Sequence, residues 1–241
     1  MTVRLAQVGC GCWGKNLARS FAHLGALHAV VDDNPATAAA MATEHGALAM
    51  TFASVLDDPN IEAVSLATPA PQHARMALAA LNAGKHVFVE KPLALEVEEA
   101  RQLVEAAKRS GQILMVGHLL QYHPIFNALL EIVKKGELGN IKYIYSNRLS
   151  FGKIRVEENV LWSFAPHDVS MVLALGGEMP QEVKAEGASF VTQGVADNAI
   201  CHLNFPSGIA AHINVSWMHP FKEHRLVIVG EKATAVFEDS Q

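Results

Sequence analysis

The sequence contains few cysteines for its length. Three of its 241 residues are cysteine, at Cys10, Cys12 and Cys201. An odd and sparse set excludes a disulfide framework. Cys10 and Cys12 are separated by one residue and lack a second pair of ligands, which argues against a zinc site. We therefore expect no metal, and we interpret Cys10 and Cys12 as small loop residues.

Long apolar stretches and blocks of like charge are also absent. No segment has about 18 uninterrupted apolar residues, which excludes a membrane-spanning helix. The N-terminus lacks the charged and apolar regions of a secretion signal. The formal net charge of -5 comes without a basic block, so neither nucleic acid nor an anionic membrane is an expected partner. These absences predict a soluble cytoplasmic protein, and they leave room for an anionic small ligand.

Half of the residues are hydrophobic, and in the first half of the chain they alternate between strand and helix patterns. Short apolar runs lie at 3–8, 27–32, 63–67, 86–90 and 113–117. Between them are alanine-rich helical patterns at 12–24, 35–45, 72–83 and 96–109, with a short strand and a partial turn at 49–60. This alternation predicts a parallel sheet with right-handed crossovers.

The pattern changes after about residue 120. A helix is predicted at 124–135 and another at 167–175. Long strand-like runs lie at 141–151, 182–191, 198–204, 208–217 and 225–238. Strands without intervening helices favour an antiparallel sheet. The chain is therefore predicted to be α/β, with a Rossmann domain at 1–120 and an α+β domain with a mostly antiparallel sheet at 121–241.

A glycine-rich loop directly follows the first predicted strand. The segment 8–14 reads Val-Gly-Cys-Gly-Cys-Trp-Gly, which matches G-x-G-x-x-G. Its glycines give a tight turn, close approach to a pyrophosphate, and packing of helix on strand. Asp32 ends the second strand, where a carboxylate binds ribose hydroxyls and repels a 2′-phosphate. The pattern predicts NAD rather than NADP, bound at Gly9, Gly11, Cys12, Trp13, Gly14 and Asp32.

Thr68, Pro69 and His73 follow the next predicted strand. Their place at the sheet edge predicts contacts with the ribose or the nicotinamide. Thr68 and the prolines also have the chemistry of a helix start, with a threonine cap and proline in the first turn. The two interpretations are compatible, and local sequence does not choose between them.

The run Val-Phe-Val at 87–89 ends on Glu90, Lys91 and Pro92. Pro92 restricts the backbone of Lys91 to extended geometry, which fixes the direction of its side chain. Ligands of open α/β sheets bind at the carboxyl ends of the strands, where Lys91 is predicted to lie. Lys91 is thus expected to contact both cofactor and substrate, with Glu90 beside it.

In the second half, Pro166 is predicted to start a helix and to place His167 and Asp168 in its first turn. The positive end of a helix dipole disfavours imidazolium. This interpretation predicts a neutral His167 that accepts a proton. The alternative is a structural histidine at a helix start.

These motifs, in this order, resemble the glucose–fructose oxidoreductase / inositol dehydrogenase / MocA (Gfo/Idh/MocA) family. The resemblance implies a Rossmann domain followed by an open, mostly antiparallel sheet that often mediates homodimers or homotetramers. It implies NAD(P)-linked oxidation of a sugar or cyclitol hydroxyl, with Lys91 and His167 as the catalytic pair. Many members have an aspartate four residues before the histidine, where this chain has Ser163.

The segments 147–155 and 157–168 resemble one branch of the family, the UDP-N-acetylglucosamine 3-dehydrogenases, and Ser163 fits that branch. These enzymes oxidise the sugar 3-hydroxyl to a ketone on the way to lipid A. The resemblance implies substrate contacts by Lys91, Arg148, Lys153, Arg155, Trp162, Ser163 and His167. Arg148, Lys153 and Arg155 form a cationic cluster suited to a diphosphate. The alternatives are an inositol or free-sugar dehydrogenase and a non-catalytic NAD-binding protein.

The chain ends just after a predicted strand, whereas members of the family are commonly longer. We interpret the sequence as a shortened version of the second domain, without its last strands. For that reason, the activity that the resemblance implies for the family is not assumed for this chain.

Overall fold

The computed structural model describes residues 2–152, 154–156 and 158–239. They form two compact units, with the division between Gly117 and His118. Among these residues, no helix is long and apolar enough to cross a membrane.

The first unit is a six-stranded parallel sheet with helices between its strands. The strands lie in the order β3-β2-β1-β4-β5-β6. They are β1 (Leu5–Val8), β2 (Leu27–Val31), β3 (Leu48–Ala49), β4 (Ala63–Leu66), β5 (His86–Val89) and β6 (Leu114–Val116). The helices are α1 (Gly14–His23), α2 (Pro35–His45), α3 (Phe52–Asp57), α4 (Ala70–Asn82) and α5 (Val97–Ser110). The predicted parallel sheet is confirmed.

Local chemistry sets the limits of these elements. The Asn34 side chain accepts a hydrogen bond from the Ala36 N–H at 3.0 Å and caps α2, which has Pro35 in its first turn. Gly46 ends that helix with a φ of 65°. Every residue of β1 and β4 is buried, as expected for central strands covered on both faces.

The strand order reverses at β1. The chain leaves β1 toward β2 on one side, and β4 lies on the other side, in parallel with β1. At such a switch point the loops after the two neighbouring strands diverge and leave a crevice. The loops in question begin at Gly9, after β1, and at Ala67, after β4. The fold therefore places the glycine loop and Thr68 at one edge of the sheet.

The second unit is a mixed sheet with strand order β12-β11-β7-β10-β9-β8. Its strands are β7 (Ile141–Phe151), β8 (Glu182–Ala188), β9 (Asn198–Asn204), β10 (Ala210–Ser216), β11 (Met218–Gly230) and β12 (Thr234–Glu238). Among these six strands, only β7 and β10 pair in parallel. The helices are α6 (Pro124–Lys134) and α7 (Val160–Gly176), preceded by a 3-10 turn at Leu119–Tyr122. The predicted mostly antiparallel sheet is confirmed.

Several predicted elements of the chain differ from the structure. The predicted strand at 182–191 ends at Ala188. The run 225–238 is not one strand, because the chain reverses at 231–233 between β11 and β12, and β11 begins seven residues earlier at Met218. The partial turn within 49–60 is the helix α3, which the Thr51 side chain caps by accepting from the Ser54 N–H at 3.1 Å. Apolar runs at 226–229 and 235–237 lie on both sides of the turn, so the apolar pattern alone did not reveal it.

The predicted start of the helix at His167 is wrong. Helix α7 begins at Val160, where Asn159 caps it by accepting a hydrogen bond from the Trp162 N–H at 3.1 Å. Pro166 lies inside the helix. A proline there costs roughly 3 kcal/mol, which burial of the helix's apolar residues in the core offsets. His167 and Asp168 are mid-helix residues, so the dipole argument for a neutral His167 does not apply.

Candidate cofactor and substrate sites

The glycine loop makes two close backbone contacts that exclude any side chain. A Cβ at Gly14 would lie 1.8 Å from the Gly9 carbonyl oxygen, and one at Gly9 would lie 2.7 Å from the Ala67 carbonyl oxygen. Gly9 also has a φ of +84°. At Gly11, by contrast, no described atom lies within 4 Å of an added Cβ. Gly9 and Gly14 are required by the fold, whereas Gly11 leaves space open for a ligand.

Asp32 stands at the end of β2 and is held by two backbone N–H groups. Its Oδ2 accepts from the Cys10 N–H at 2.8 Å, and its Oδ1 accepts from the Asn34 N–H at 2.9 Å. The carboxylate therefore joins the glycine loop to the start of α2. The thiol of Cys10 beside it is buried, and burial together with the Asp32 charge raises its pKa to about 11. Cys10 is thus a protonated loop residue, as its sequence context predicts.

A cavity of about 810 Å³ opens over this edge of the sheet. Its walls include Gly9, Gly11, Asp32, Thr68 and Pro69, which are five of the residues predicted to bind the cofactor. Helix α1 starts beside it, and no described side chain caps that helix. Its first N–H groups are the usual partners of a phosphate. An open glycine, a carboxylate and an uncapped helix N-terminus together fit a dinucleotide.

Trp13 and Glu90 link the glycine loop to the segment that carries Lys91. The Trp13 indole Nε1 donates to Glu90 Oε1 at 2.6 Å, and the Lys91 N–H donates to Glu90 Oε2 at 3.3 Å. Burial raises the pKa of Glu90, while the Trp13 hydrogen bond opposes that shift. A Cβ on Gly117 would lie 2.8 Å from Glu90 Oε1, so a glycine leaves room for the carboxylate. Lys91 is therefore held at the same sheet edge as the glycine loop.

His73 is 2% exposed, and both of its ring nitrogens face backbone carbonyls. Nδ1 is 2.7 Å from the Pro92 oxygen and Nε2 is 2.7 Å from the Thr68 oxygen. The ring connects the loop after β4 with the loop after β5. The structure thus places His73 between the two loops, and its nitrogens do not point into the cavity. The contact of His73 with the cofactor stays a prediction. Any effect of His73 on the cofactor would be exerted through these two loops.

In the second unit, α7 carries Trp162, Ser163 and His167. Ser163 and His167 are one turn apart and lie on one face of the helix. Ser163 is buried and Trp162 is 39% exposed. The His167 ring meets the His118 ring edge to face, with centroids 6.4 Å apart. His118 was not predicted as a neighbour of His167, since it lies 49 residues away in a loop.

The two described arginines of the predicted cationic cluster have different surroundings. Arg148 is buried and its Nε donates to Asp168 Oδ2 at 2.6 Å. Arg155 forms an ion pair with Glu158. Lys153 lies outside the described residues. Both described arginines therefore have carboxylate partners, and their binding of a diphosphate stays a prediction.

The Arg148–Asp168 pair was missed at the level of sequence. One signal was present: Ile144, Ser146 and Arg148 alternate on β7, and all three are buried. A charged residue in the buried phase of a strand requires an opposite charge nearby. The sequence did not identify which of the chain's carboxylates supplies it.

His224 is the basis of a pH prediction. Burial lowers its pKa, and the neighbouring Arg148 guanidinium lowers it further. The unfolded chain takes up this proton near pH 6.5, before the folded chain does. The stabilisation is therefore complete above about pH 6.5 and is lost as the pH falls toward the lowered pKa. We expect the free energy of unfolding to drop on acidification from pH 7.5 to 5.5.

Urea unfolding of His224→Gln at these two pH values checks this expectation. The variant should lose less stability on acidification than the wild type. Some loss should remain, because burial and His202 lower the pKa of His212 in the same direction. His23→Gln, at an exposed position, is the matched control. Equal losses in wild type and His224→Gln would contradict the assignment.

The parallel sheet, the glycine loop and Asp32 define a protein with a dinucleotide-binding Rossmann domain followed by an α+β domain. The oxidoreductase family with an NAD-binding Rossmann fold, Gfo/Idh/MocA, matches residues 3–118, and the Gfo/Idh/MocA C-terminal domain matches residues 126–236. The chain belongs to the Gfo/Idh/MocA oxidoreductase family. The predicted family and the NAD-binding Rossmann fold are confirmed.

Several individual proteins are similar along most of the chain. The UDP-N-acetylglucosamine 3-dehydrogenase of Acidithiobacillus ferrooxidans is 30% identical over 89% of this chain and 67% of its own length. The myo-inositol 2-dehydrogenase of Thermotoga maritima is 29% identical over 77% of this chain and 59% of its own length. The crystal structure of GenD2 from gentamicin A biosynthesis, in complex with NAD, superposes with a TM-score of 0.93 at 25% identity and covers 98% of this chain and 72% of that chain. The chain thus spans about two thirds or less of these two curated relatives.

Asp32 gives a prediction about cofactor choice. In Asp32→Ala the carboxylate that is predicted to pair with ribose hydroxyls and to repel a 2′-phosphate is lost, so NAD affinity should fall about 10- to 100-fold. Affinity for NADP should fall less, because the charge that repels a 2′-phosphate is also lost. Calorimetry with both dinucleotides measures this, with the exposed Asp57→Ala as the control. Unchanged NAD affinity in Asp32→Ala would show that Asp32 serves the loop alone.

Proposed function

We propose that the chain is an NAD-dependent dehydrogenase that oxidises a secondary hydroxyl of a sugar. The observation that carries this proposal is the placement of Lys91 at the same sheet edge as the glycine loop, tied to it through Glu90 and Trp13. A lysine fixed beside a dinucleotide cradle can reach both the cofactor and a bound hydroxyl.

The roles of the two proposed catalytic residues follow from the reaction. NAD, when bound, supplies the acceptor for the hydride that leaves the carbon. The hydroxyl must also lose its proton, which we assign to His167 as acceptor. Lys91 stabilises the negative charge that develops on the same oxygen. The products are a ketone and a protonated histidine. In the reverse assignment, Lys91 takes the proton.

The substrate that the resemblance favours is UDP-N-acetylglucosamine, oxidised at its 3-hydroxyl. Support comes from the 30% identical dehydrogenase of that sugar nucleotide and from Ser163, which fits that branch. Trp162, partly exposed on the helix of His167, offers an apolar face for a sugar ring. Oxidation of inositol or a free sugar is the second candidate, because a myo-inositol 2-dehydrogenase matches at 29% identity.

We further propose that two or four copies associate through the outer face of the second sheet. The cross-strand partners Tyr145, His212 and His202 lie on this face, and the Tyr145 and His212 rings stack with centroids 5.6 Å apart. Val236 on the same face is 58% exposed. Exposed apolar groups on an open sheet face favour association. Sedimentation velocity measures the resulting mass.

The decisive experiment is a panel of substrates with NAD, monitored at the NADH absorbance band. UDP-N-acetylglucosamine should reduce NAD, and myo-inositol and glucose should not. Reduction by myo-inositol alone would favour the second candidate. Calorimetric binding of NAD without reduction by any member of the panel would instead indicate a non-catalytic NAD-binding protein.

A further inference from the structure

A buried ion pair lies directly beside the proposed proton acceptor. Asp168 follows His167 on α7, and its side chain is 1% exposed. Its Oδ2 accepts from Arg148 Nε at 2.6 Å, and its Oδ1 accepts from Arg148 Nη2 at 3.4 Å and from the Ser146 hydroxyl. Three hydrogen bonds from β7 therefore converge on one carboxylate of the helix.

Arg148 is engaged on its other side as well. Its Nη1 is 3.3 Å from His224 Nδ1 on β11. A guanidinium only donates, so Nδ1 must accept and the ring must carry its hydrogen on Nε2. The lowered pKa of His224 is consistent with this neutral ring. Arg148 thus contacts α7 and β11 at once, and its side chain is 9% exposed.

The helix has a structural weakness at this position. Pro166 has no N–H, so the carbonyl four residues earlier, at Trp162, loses its helical partner. His167 lies between that interruption and Asp168. The forked pair of hydrogen bonds between Arg148 and Asp168 is directional. It fixes the rotation of α7 about its axis at the point where one backbone hydrogen bond of the helix is missing.

We infer that Arg148 and Asp168 are positioning residues for His167. This inference rests on the proposed function, in which His167 accepts the proton. It replaces the predicted diphosphate contact of Arg148 with an internal role: the pair sets the direction of the His167 ring without contacting the substrate. The ion pair is then needed for its geometry more than for stability, because a buried pair adds little net stability compared with apolar residues of similar size.

The test uses a variant that keeps the packing around this ion pair and removes its directional hydrogen bonds. Arg148→Met combined with Asp168→Leu replaces the ion pair by apolar side chains. Lys134→Met, which breaks the exposed Lys134–Glu131 pair on α6, is the control. The measurements are the melting temperature, kcat and KM with UDP-N-acetylglucosamine, and the NMR signals of the His167 ring, identified by their loss in His167→Gln.

The apolar pair should melt within a few degrees of the wild type, with kcat lower by about 100-fold and KM within about twofold. Wild-type kcat in a folded apolar pair would overturn the inference, because packing alone would then suffice. A raised KM with unchanged kcat would also overturn it and would return Arg148 to substrate binding. If the apolar pair does not fold, Arg148→Lys gives the same discrimination, since it retains the charge and loses the fork.

The NMR measurement separates this inference from the proposed function. Absence of turnover by the wild type on every sugar would refute the proposed activity, and the ring signals would still report on position. Displaced His167 signals in the apolar pair, with the signals of the exposed His23 unmoved, would support the positioning role. Unmoved His167 signals would refute it whether or not the protein is active.

Discussion

Lys91→Ala should reduce turnover by about a thousandfold while leaving NAD affinity nearly unchanged. The side chain is proposed to stabilise the charge on the reacting oxygen, and interactions of this kind contribute two to four powers of ten to rate. The proposed cofactor site consists of the glycine loop, Asp32 and the loop after β4, which keep their own contacts when Lys91 is shortened. Steady-state kinetics and calorimetry measure the two quantities. Retention of most of the rate by Lys91→Ala would refute the mechanism.

Two further variants sharpen this result. Lys108→Ala removes an exposed lysine of the same unit, paired with Glu105 at 2.9 Å, and should have wild-type kinetics. Lys91→Arg keeps the positive charge on a group that does not deprotonate. If Lys91 only stabilises charge, arginine should recover part of the rate that alanine loses. An arginine variant as inactive as the alanine variant would make Lys91 the proton acceptor and His167 its partner.

Gly14→Ala should be the most damaging single methyl addition in the first unit. The new Cβ would lie 1.8 Å from the Gly9 carbonyl oxygen, and backbone cannot yield as a flexible side chain can. We expect a loss of about 3–5 kcal/mol in the free energy of unfolding, the range of severe steric defects. NAD binding should be abolished as well, because the loop and the start of α1 must move apart. Urea unfolding and calorimetry measure both effects.

Gly11→Ala is the matched variant, because no described atom lies within 4 Å of its added Cβ. Its melting temperature should be near that of the wild type. Its NAD affinity should nevertheless fall by about 100-fold or more, because the methyl would occupy space needed by the pyrophosphate. Equal stability of Gly11→Ala and Gly14→Ala would contradict the packing argument. Wild-type NAD affinity in Gly11→Ala would place the phosphates elsewhere.

The first unit was predictable because the residues that define its strands, loops and site lie close together in sequence. Each strand is a short apolar run, each loop follows directly from its strand, and Gly9, Gly14 and Asp32 lie within one strand–helix–strand segment. In such a segment the type of residue and its spacing determine its place at the sheet edge. The predicted strands at 27–32 and 86–90 differ from the observed ones by one residue at one end.

The second unit was less predictable because its decisive contacts are distant in sequence. Pro166 is typical of a first helical turn, and only the packing of seventeen residues on the sheet shows that it lies mid-helix. Arg148 looked like a free cation until Asp168, twenty residues later, was placed against it. His73 was predicted to contact the cofactor, and its two carbonyl partners come from loops that only the sheet brings together.

The pairing of β7 has a consequence for how the chain assembles during synthesis. Its neighbours are β10 and β11, with Tyr143 opposite Ala210 and Val229. A strand at the middle of its sheet therefore emerges from the ribosome well before either of its partners exists. The first unit has no such delay, because β1 pairs with β2 and β4 within its first 66 residues. Pairing between strands that are far apart in sequence slows folding. The unit that carries His167 should therefore fold last, and until then β7 is exposed to association with other chains.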